Sequence, residues 1–358
     1  MFTSAINILN VAKAEVRTAR RRARFWTIVF FLSVFSIMGY LISCSYLGYA
    51  ALTSPSFGTG VPKYLLGNID PTFFLFFQLA ALFLAFDAGH LLHRNRISEV
   101  LDSKSITNFE YLAGRVFGIA GLLWLVAASN ICVMQLLGLI STTINIGIAD
   151  TIEWYSLFNL LVIDGPATLL ISCSIVVFLS CMLRFRLLVV VVASALMFGW
   201  FFLVLNTPYS LLEIVSLSSN DTLFVSDLLP QLASLPVVAI RAATILSAIA
   251  LVAIGALIWS RQNSNNQLEK YLPLGICLCV GTILYVWGSS SVVSEHTASE
   301  RWREVHENHE FDHRIDLEAI TGIVKIDPKK HLIADLTIGF NVNAHTTIPL
   351  TFTFNRSM

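Results

Sequence analysis

The sequence predicts an all-α polytopic membrane protein, with about seven transmembrane helices and a small C-terminal antiparallel β-meander. Three observations carry that prediction: seven long apolar stretches, basic residues gathered on one side of them, and a final segment whose apolar residues recur every second position. The composition agrees, with 56% hydrophobic residues, 13% charged and a mean hydropathy of +0.72. Lys plus Arg and Asp plus Glu both number 23, so the formal net charge of zero says nothing about class.

Residues 1–24 are expected to form a cytoplasmic basic amphipathic helix, with Ile8, Leu9, Ala12 and Val16 set against the arginines. Such a segment lies at the inner membrane interface, drawn to anionic lipid. The other reading is a simple topogenic charge cluster. The apolar run that follows is longer than a signal-peptide core and has no clean small-residue cleavage site, so it is expected to remain as an anchor.

The predicted spans are Phe25 to Leu47, Thr72 to Leu92, Arg115 to Ile140, Pro166 to Leu183, Leu187 to Leu205, Pro236 to Trp259 and Tyr271 to Gly288. A hydrocarbon core of ~30 Å needs roughly 20 helical residues, which leaves Pro166 to Leu183 short. With the N-terminus inside, the cytoplasmic segments hold fourteen basic residues, from Lys13 through Arg94, Arg96, Lys104, Arg184 and Arg261 to Lys270, and the outer loops before Gly288 hold only Lys63. That asymmetry orients the chain, with the tail outside. The expected organisation is the N-terminal helix, a six-helix core over residues 25–260, a linker and seventh span over 261–288, and an exported stalk with a partial β domain over 289–358. All six cysteines fall inside the spans and are read as core or lipid-facing residues.

Charges within spans are costly and draw attention. Asp87 lies near the inner end of the second span and Arg241 about one and a half turns into the sixth from its outer end. Each is read either as a snorkelling or ion-paired side chain, or as part of a substrate or proton path. Asp164, just before Gly165 and Pro166, is expected to cap the fourth span.

The sequence holds no G-x-x-x-x-G-K-[ST] phosphate loop, no G-x-S-x-G and no H-E-x-x-H. No catalytic residue and no cofactor is therefore assigned, and any ATP would be bound by a partner subunit. His306, His309 and His313 share a helical face, yet their charged surroundings favour a membrane-proximal linker over a metal site. No nucleic-acid partner is expected.

The loop His93 to Arg115 alternates in charge, with Ile97, Val100 and Leu101 able to form one apolar face. Thr107 and Glu110 have the spacing of a capping box, so the third span's helix is expected to begin near Asn108 and run unbroken into the membrane as a lever. Gly114, Gly118 and Gly121 follow, small enough for close helix packing.

This order of elements, with RISEVLDSKSITNFEYLAGRVFG after the second span, resembles the permease subunits of type-2 ABC exporters. The resemblance covers residues 1 to about 260 in topology. It implies a prokaryotic inner-membrane protein that pairs with a second permease copy and two separate ABC ATPase subunits. It also implies that the loop carries the ATPase-coupling helix, with Arg96, Glu99, Leu101, Asp102, Ser105, Ile106, Asn108, Tyr111, Gly114 and Arg115 at or beside that contact, next to the capping pair Thr107 and Glu110. The alternative is a membrane anchor or sensor whose exported β segment binds a periplasmic partner.

After Gly288 a charged stretch from Ser294 to Glu310 is expected to prolong the seventh span as a stalk. Apolar residues then alternate at Ile320, Val324 and Ile326, at Leu332, Leu336, Ile338 and Phe340, and at Ile348, Leu350, Phe352 and Phe354, predicting three strands with a turn at Asp327 to Lys330. Three strands with one apolar face cannot bury a core alone. The stretch resembles the β-rich entry to the exported aminopeptidase-like domain, related to gluzincin peptidases, that a subgroup of these permeases carries. The chain stops before any zinc-ligand motif of that family, so a truncated, split or fragmentary member without enzymatic activity is expected.

Overall fold

The computed structural model describes residues 2–53, 65–86, 106–144, 151–152, 154–183, 185–208, 211–217, 234–258, 267–308, 315–327 and 331–342. Along them run α1 (Phe2–Arg20), α2 (Ala23–Thr53), α3 (Leu65–Ala85), α4 (Asn108–Ile144), α5 (Trp154–Phe158), a π-helical turn (Asn159–Asp164), α6 (Gly165–Met182), α7 (Arg186–Asn206), α8 (Leu212–Val215), α9 (Leu235–Ile258), α10 (Gln267–Asn308), β1 (Ile315–Asp327) and β2 (His331–Val342).

Six helices are long and apolar enough to cross a membrane: α2, α4, the π turn with α6, α7, α9 and α10. The expectation of seven is not met among the described residues. The second predicted span, Thr72 to Leu92, is described only to residue 86, and the remainder of it lies outside the described residues. The fourth span gains length instead: helix continues backward from Gly165 through the π turn to Asn159, giving 24 residues.

The helices form two layers. In the most apolar windows of α4, of the π turn with α6 and of α9, 50%, 61% and 50% of residues are buried, against 22%, 17% and 17% for α2, α7 and α10. Phe73, Phe77, Ala81 and Ala85 of α3 join the inner layer. The outer helices turn large apolar side chains away from the protein: Phe30, Phe31 and Ile42 on α2, Phe202 and Leu205 on α7, Ile283 and Val286 on α10. Apolar surface on this scale belongs against lipid.

Close packing depends on small residues where helices meet. A Cβ at Gly288 of α10 would lie 2.8 Å from the Pro236 carbonyl oxygen and from Ile240 on α9, so only glycine permits that approach. Beyond Gly288, α10 continues without a break to Asn308, about 30 Å further at 1.5 Å per residue. The expected stalk is thus one piece with the last span.

Strands β1 and β2 pair antiparallel from Ile315 opposite Val342 to Asp327 opposite His331, with an irregularity between Leu317 and Ala319. Ile320 faces Ile338, Val324 faces Ala334 and Ile326 faces Leu332, the in-register alternation that the period of two predicts. Ile320, Val324 and Leu336 remain substantially exposed. The predicted third strand, Ile348 to Phe354, lies outside the described residues. All six cysteines are free; Cys44 and Cys173 are buried, and Cys132 and Cys279 are exposed on the apolar surface.

Candidate functional site

Among the described residues, polar constellations interrupt the apolar bundle at the arginine-rich end and toward the opposite end.

At the arginine-rich end, α4 begins in a closed capping box. The Glu110 backbone N–H donates to Thr107 Oγ1 at 3.2 Å, and the Thr107 N–H donates to Glu110 Oε2 at 3.0 Å. Two amides that a helix start leaves open are thereby satisfied, which fixes where α4 starts. The same Glu110 oxygen accepts from Asn7 Nδ2 of α1 at 3.2 Å. One turn on, Arg115 Nη2 donates to Glu15 Oε1 of α1 at 3.2 Å, and the Arg115 guanidinium lies 5.8 Å from the Tyr111 ring centre.

The fit between α1 and α4 rests on two glycines. A Cβ at Gly114 would lie 2.6 Å from Val11 Cβ and 2.8 Å from the Ile8 carbonyl oxygen; one at Gly118 would lie 2.9 Å from the Ala12 carbonyl oxygen. Gly121 has open space beside it and takes no part. The apolar stripe of α1 is therefore spent mainly on α4, with Ile6 and Leu9 left outward.

This arrangement redistributes the residues assigned to a partner contact. Glu110 and Arg115 are buried, 7% and 3% exposed, with their charges engaged by α1. Tyr111 is half-buried beside Arg115, and Asn108 Nδ2 reaches the Ala256 carbonyl of α9 at 3.4 Å. Ile106 is half-buried and Thr107 is exposed. Glu110, Tyr111 and Arg115 thus tie the helix foot together, with the Glu110 and Arg115 side chains buried against α1. Asp87, Arg96, Glu99, Leu101, Asp102 and Ser105 lie outside the described residues.

The second constellation centres on Arg241. Its Nε donates to Asp164 Oδ1 at 2.7 Å and its Nη1 to the Ser216 carbonyl at 2.7 Å, and neither side chain of the ion pair is more than 2% exposed. Thr168 Oγ1 donates to the neighbouring Leu217 carbonyl at 3.0 Å. Three elements are thereby joined: the start of α6, the end of short α8, and α9. Of the two readings of Arg241, the structure has it ion-paired and buried. Asp164 is not a cap: its backbone stays helical at φ −78° and ψ −43°, and its side chain makes no capping hydrogen bond.

The π turn explains how a helix crosses Pro166. Gly165 N–H bonds back to the Leu160 carbonyl, five residues earlier, and in that register Pro166 should bond to the Leu161 carbonyl but has no N–H. Trp124 of α4 supplies the missing donor, its Nε1 lying 2.7 Å from Leu161 O. Further out, Gln135 holds both backbone groups of Ile152 at 2.9 Å. Sequence reading missed Asn7, Glu15, Trp124, Thr168 and Ser216. The signal for Glu15 was present, as the lone acid in a basic helix; that for Trp124 and Ser216 was not, because Trp124 meets the Leu161 carbonyl and the Ser216 carbonyl meets Arg241, partners far away in sequence.

Among the described residues no group of three or more His, Cys, Asp or Glu side chains could hold a metal ion. Compared with known proteins, the sequence matches no protein-family model and no curated protein.

Proposed function

We propose that this chain is the permease subunit of an ABC-type exporter, resident in a bacterial inner membrane with its N-terminus and the loop from His93 to Arg115 in the cytoplasm and its tail outside. Separate ATPase subunits drive it, and it pairs with a second copy of itself. The observation that supports this reading is α4: a helix of 37 residues, about 55 Å long, that starts in a closed capping box and runs without interruption through the bundle.

A helix of that length, fixed at its foot and packed through buried residues from Glu110 to Ser141, moves as a unit. Clamped to α1 by Glu15, Asn7 and two glycine contacts, its foot shares any displacement with α1. Closure of ATPase subunits on the preceding loop then tilts α4 and carries the motion toward the Asp164–Arg241 link. The buried Glu110 and Arg115 keep the lever stiff, and the contact itself falls to the residues before Thr107. The test is co-purification with ATPase subunits: deletion of Ile97 to Lys104 abolishes association under this reading, and unchanged association counts against it.

The exposed apolar residues of the hairpin favour a second reading, a membrane anchor whose β segment binds a partner. Ile320, Ile323, Ile333 and Leu336 offer apolar surface on both of its faces. Removal of residues 315–342 discriminates: ATPase association survives it under the first reading, whereas partner binding is lost under the second.

A further inference from the structure

A polar seam runs between α2 and α4 inside the apolar bundle. Ser33 Oγ of α2 donates to Asn130 Oδ1 of α4 at 2.9 Å, which engages the oxygen of that amide. The nitrogen is left over: Asn130 is only 3% exposed, and among the described residues its Nδ2 has no hydrogen-bond partner. Ser36 Oγ is in the same position, on a residue 4% exposed. An asparagine on α4 and a serine on α2 thus each carry a buried hydrogen-bonding group that the protein does not satisfy.

Local geometry brings the two groups near each other. Ser33 and Ser36 are three residues apart on α2 and share a face, separated by about 4.5 Å along the helix axis. Asn130 Nδ2 is bonded to the same carbon as the oxygen that meets Ser33. Ser36 Oγ and Asn130 Nδ2 therefore flank one contact from its two sides, and neither bonds the other directly. One turn away lie buried apolar residues, Leu32 on α2 and Ala127 and Met134 on α4. The packing along α2 is not closed here, for a Cβ at Gly39, one turn beyond Ser36, would meet nothing within 4 Å.

We propose that this seam is a binding site for one water molecule, which bridges Ser36 Oγ and Asn130 Nδ2 between α2 and α4. Internal water is held where buried polar groups lack a partner in the protein and stand close enough to share it. The drive to fill such a site is stronger in a bilayer, whose hydrocarbon offers no hydrogen bond to either group. The water accepts from the Asn130 amide and either donates to the serine hydroxyl or accepts from it, since a hydroxyl can do both. It extends the single Ser33–Asn130 bond into a network that ties the outer helix α2 to the inner helix α4. The site stands independently of the transport reading.

The purified full chain, without any partner, tests it by reversible unfolding in detergent. Ser36→Ala, Asn130→Leu and the double variant form a cycle. A bridging water couples two side chains that do not touch, so Ser36→Ala should be about fivefold more damaging to the folding equilibrium in wild type than in the Asn130→Leu background. Comparing one substitution in two backgrounds cancels the higher helix propensity of alanine. Equal effects in the two backgrounds would overturn the proposal, because an unshared hydroxyl acts alone. Should Asn130→Leu not fold, a density map of the wild-type chain that shows ordered water decides instead. It must place one within about 2.7–3.2 Å of both Ser36 Oγ and Asn130 Nδ2. A map with no density between them would equally overturn it.

Discussion

Arg241 on α9 and Asp164 at the end of the π turn meet at 2.7 Å with almost no exposure to their surroundings, and the same guanidinium holds the Ser216 carbonyl at 2.7 Å. One side chain therefore neutralises a buried charge and anchors the segment that follows α8. A buried pair adds little when compared with apolar residues of its size, but loss of one partner strands the other. Arg241→Met is expected to destabilise the protein by about 3 kcal/mol, and Asp164→Asn by less because an acceptor oxygen remains. Combining Arg241→Met with Asp164→Leu should recover much of the loss. Thermal unfolding of each variant in detergent measures this.

The partnership of Trp124 with Pro166 gives a second expectation. Trp124→Phe removes the indole donor from the Leu161 carbonyl and should cost about 1–3 kcal/mol through a buried unsatisfied acceptor. Pro166→Ala returns a backbone N–H to that turn. The double variant should therefore be more stable than the sum of the single effects predicts, as a double-mutant cycle would record.

The glycine contacts predict a sharp positional difference. Gly114→Val and Gly118→Val drive α1 off α4, because a Cβ would already overlap Val11, Ile8 or Ala12. Each should cost about 1–3 kcal/mol by overpacking. Gly121→Ala should be neutral or slightly stabilising, since nothing lies within 4 Å and alanine favours helix. Limited proteolysis at the α1 arginines reports the detachment: faster cleavage in the first two variants, unchanged in the third.

Thr107→Ala opens the capping box and should cost about 1 kcal/mol. Glu110→Gln keeps the reciprocal hydrogen bond with Thr107 and should cost less than Glu110→Ala. Hydrogen exchange of the amides at the start of α4 checks the order of these effects.

Much of this fold was legible from periodicity. The capping box, the unbroken α4, the stalk as an extension of the last span and the register of the β hairpin all follow from local pattern, which a chain carries in its own sequence. The π turn did not, because it comes from a proline whose lost hydrogen bond is replaced by a tryptophan far away in sequence. The role of Asp164 was misjudged for the same reason. A carboxylate ahead of Gly-Pro has the local look of a cap, and its partner Arg241 is 77 residues further on. Glu110 and Arg115 carried the charge of a docking surface, but burial is a property of the neighbouring helix α1 and cannot be read from their own spacing.

Under the proposed function, α4 is a lever moved from its foot by nucleotide in partner subunits. Spin labels at Ile144→Cys and Leu235→Cys, both exposed toward the far end of the bundle, read that movement when native cysteines are replaced and the chain is assembled with the proposed ATPase subunits. Labels at Thr18→Cys and Phe117→Cys across the α1–α4 clamp provide the reference. On ATP binding the far-end distance should change by several ångströms while the clamp distance holds; a far-end distance that ignores nucleotide would contradict the account.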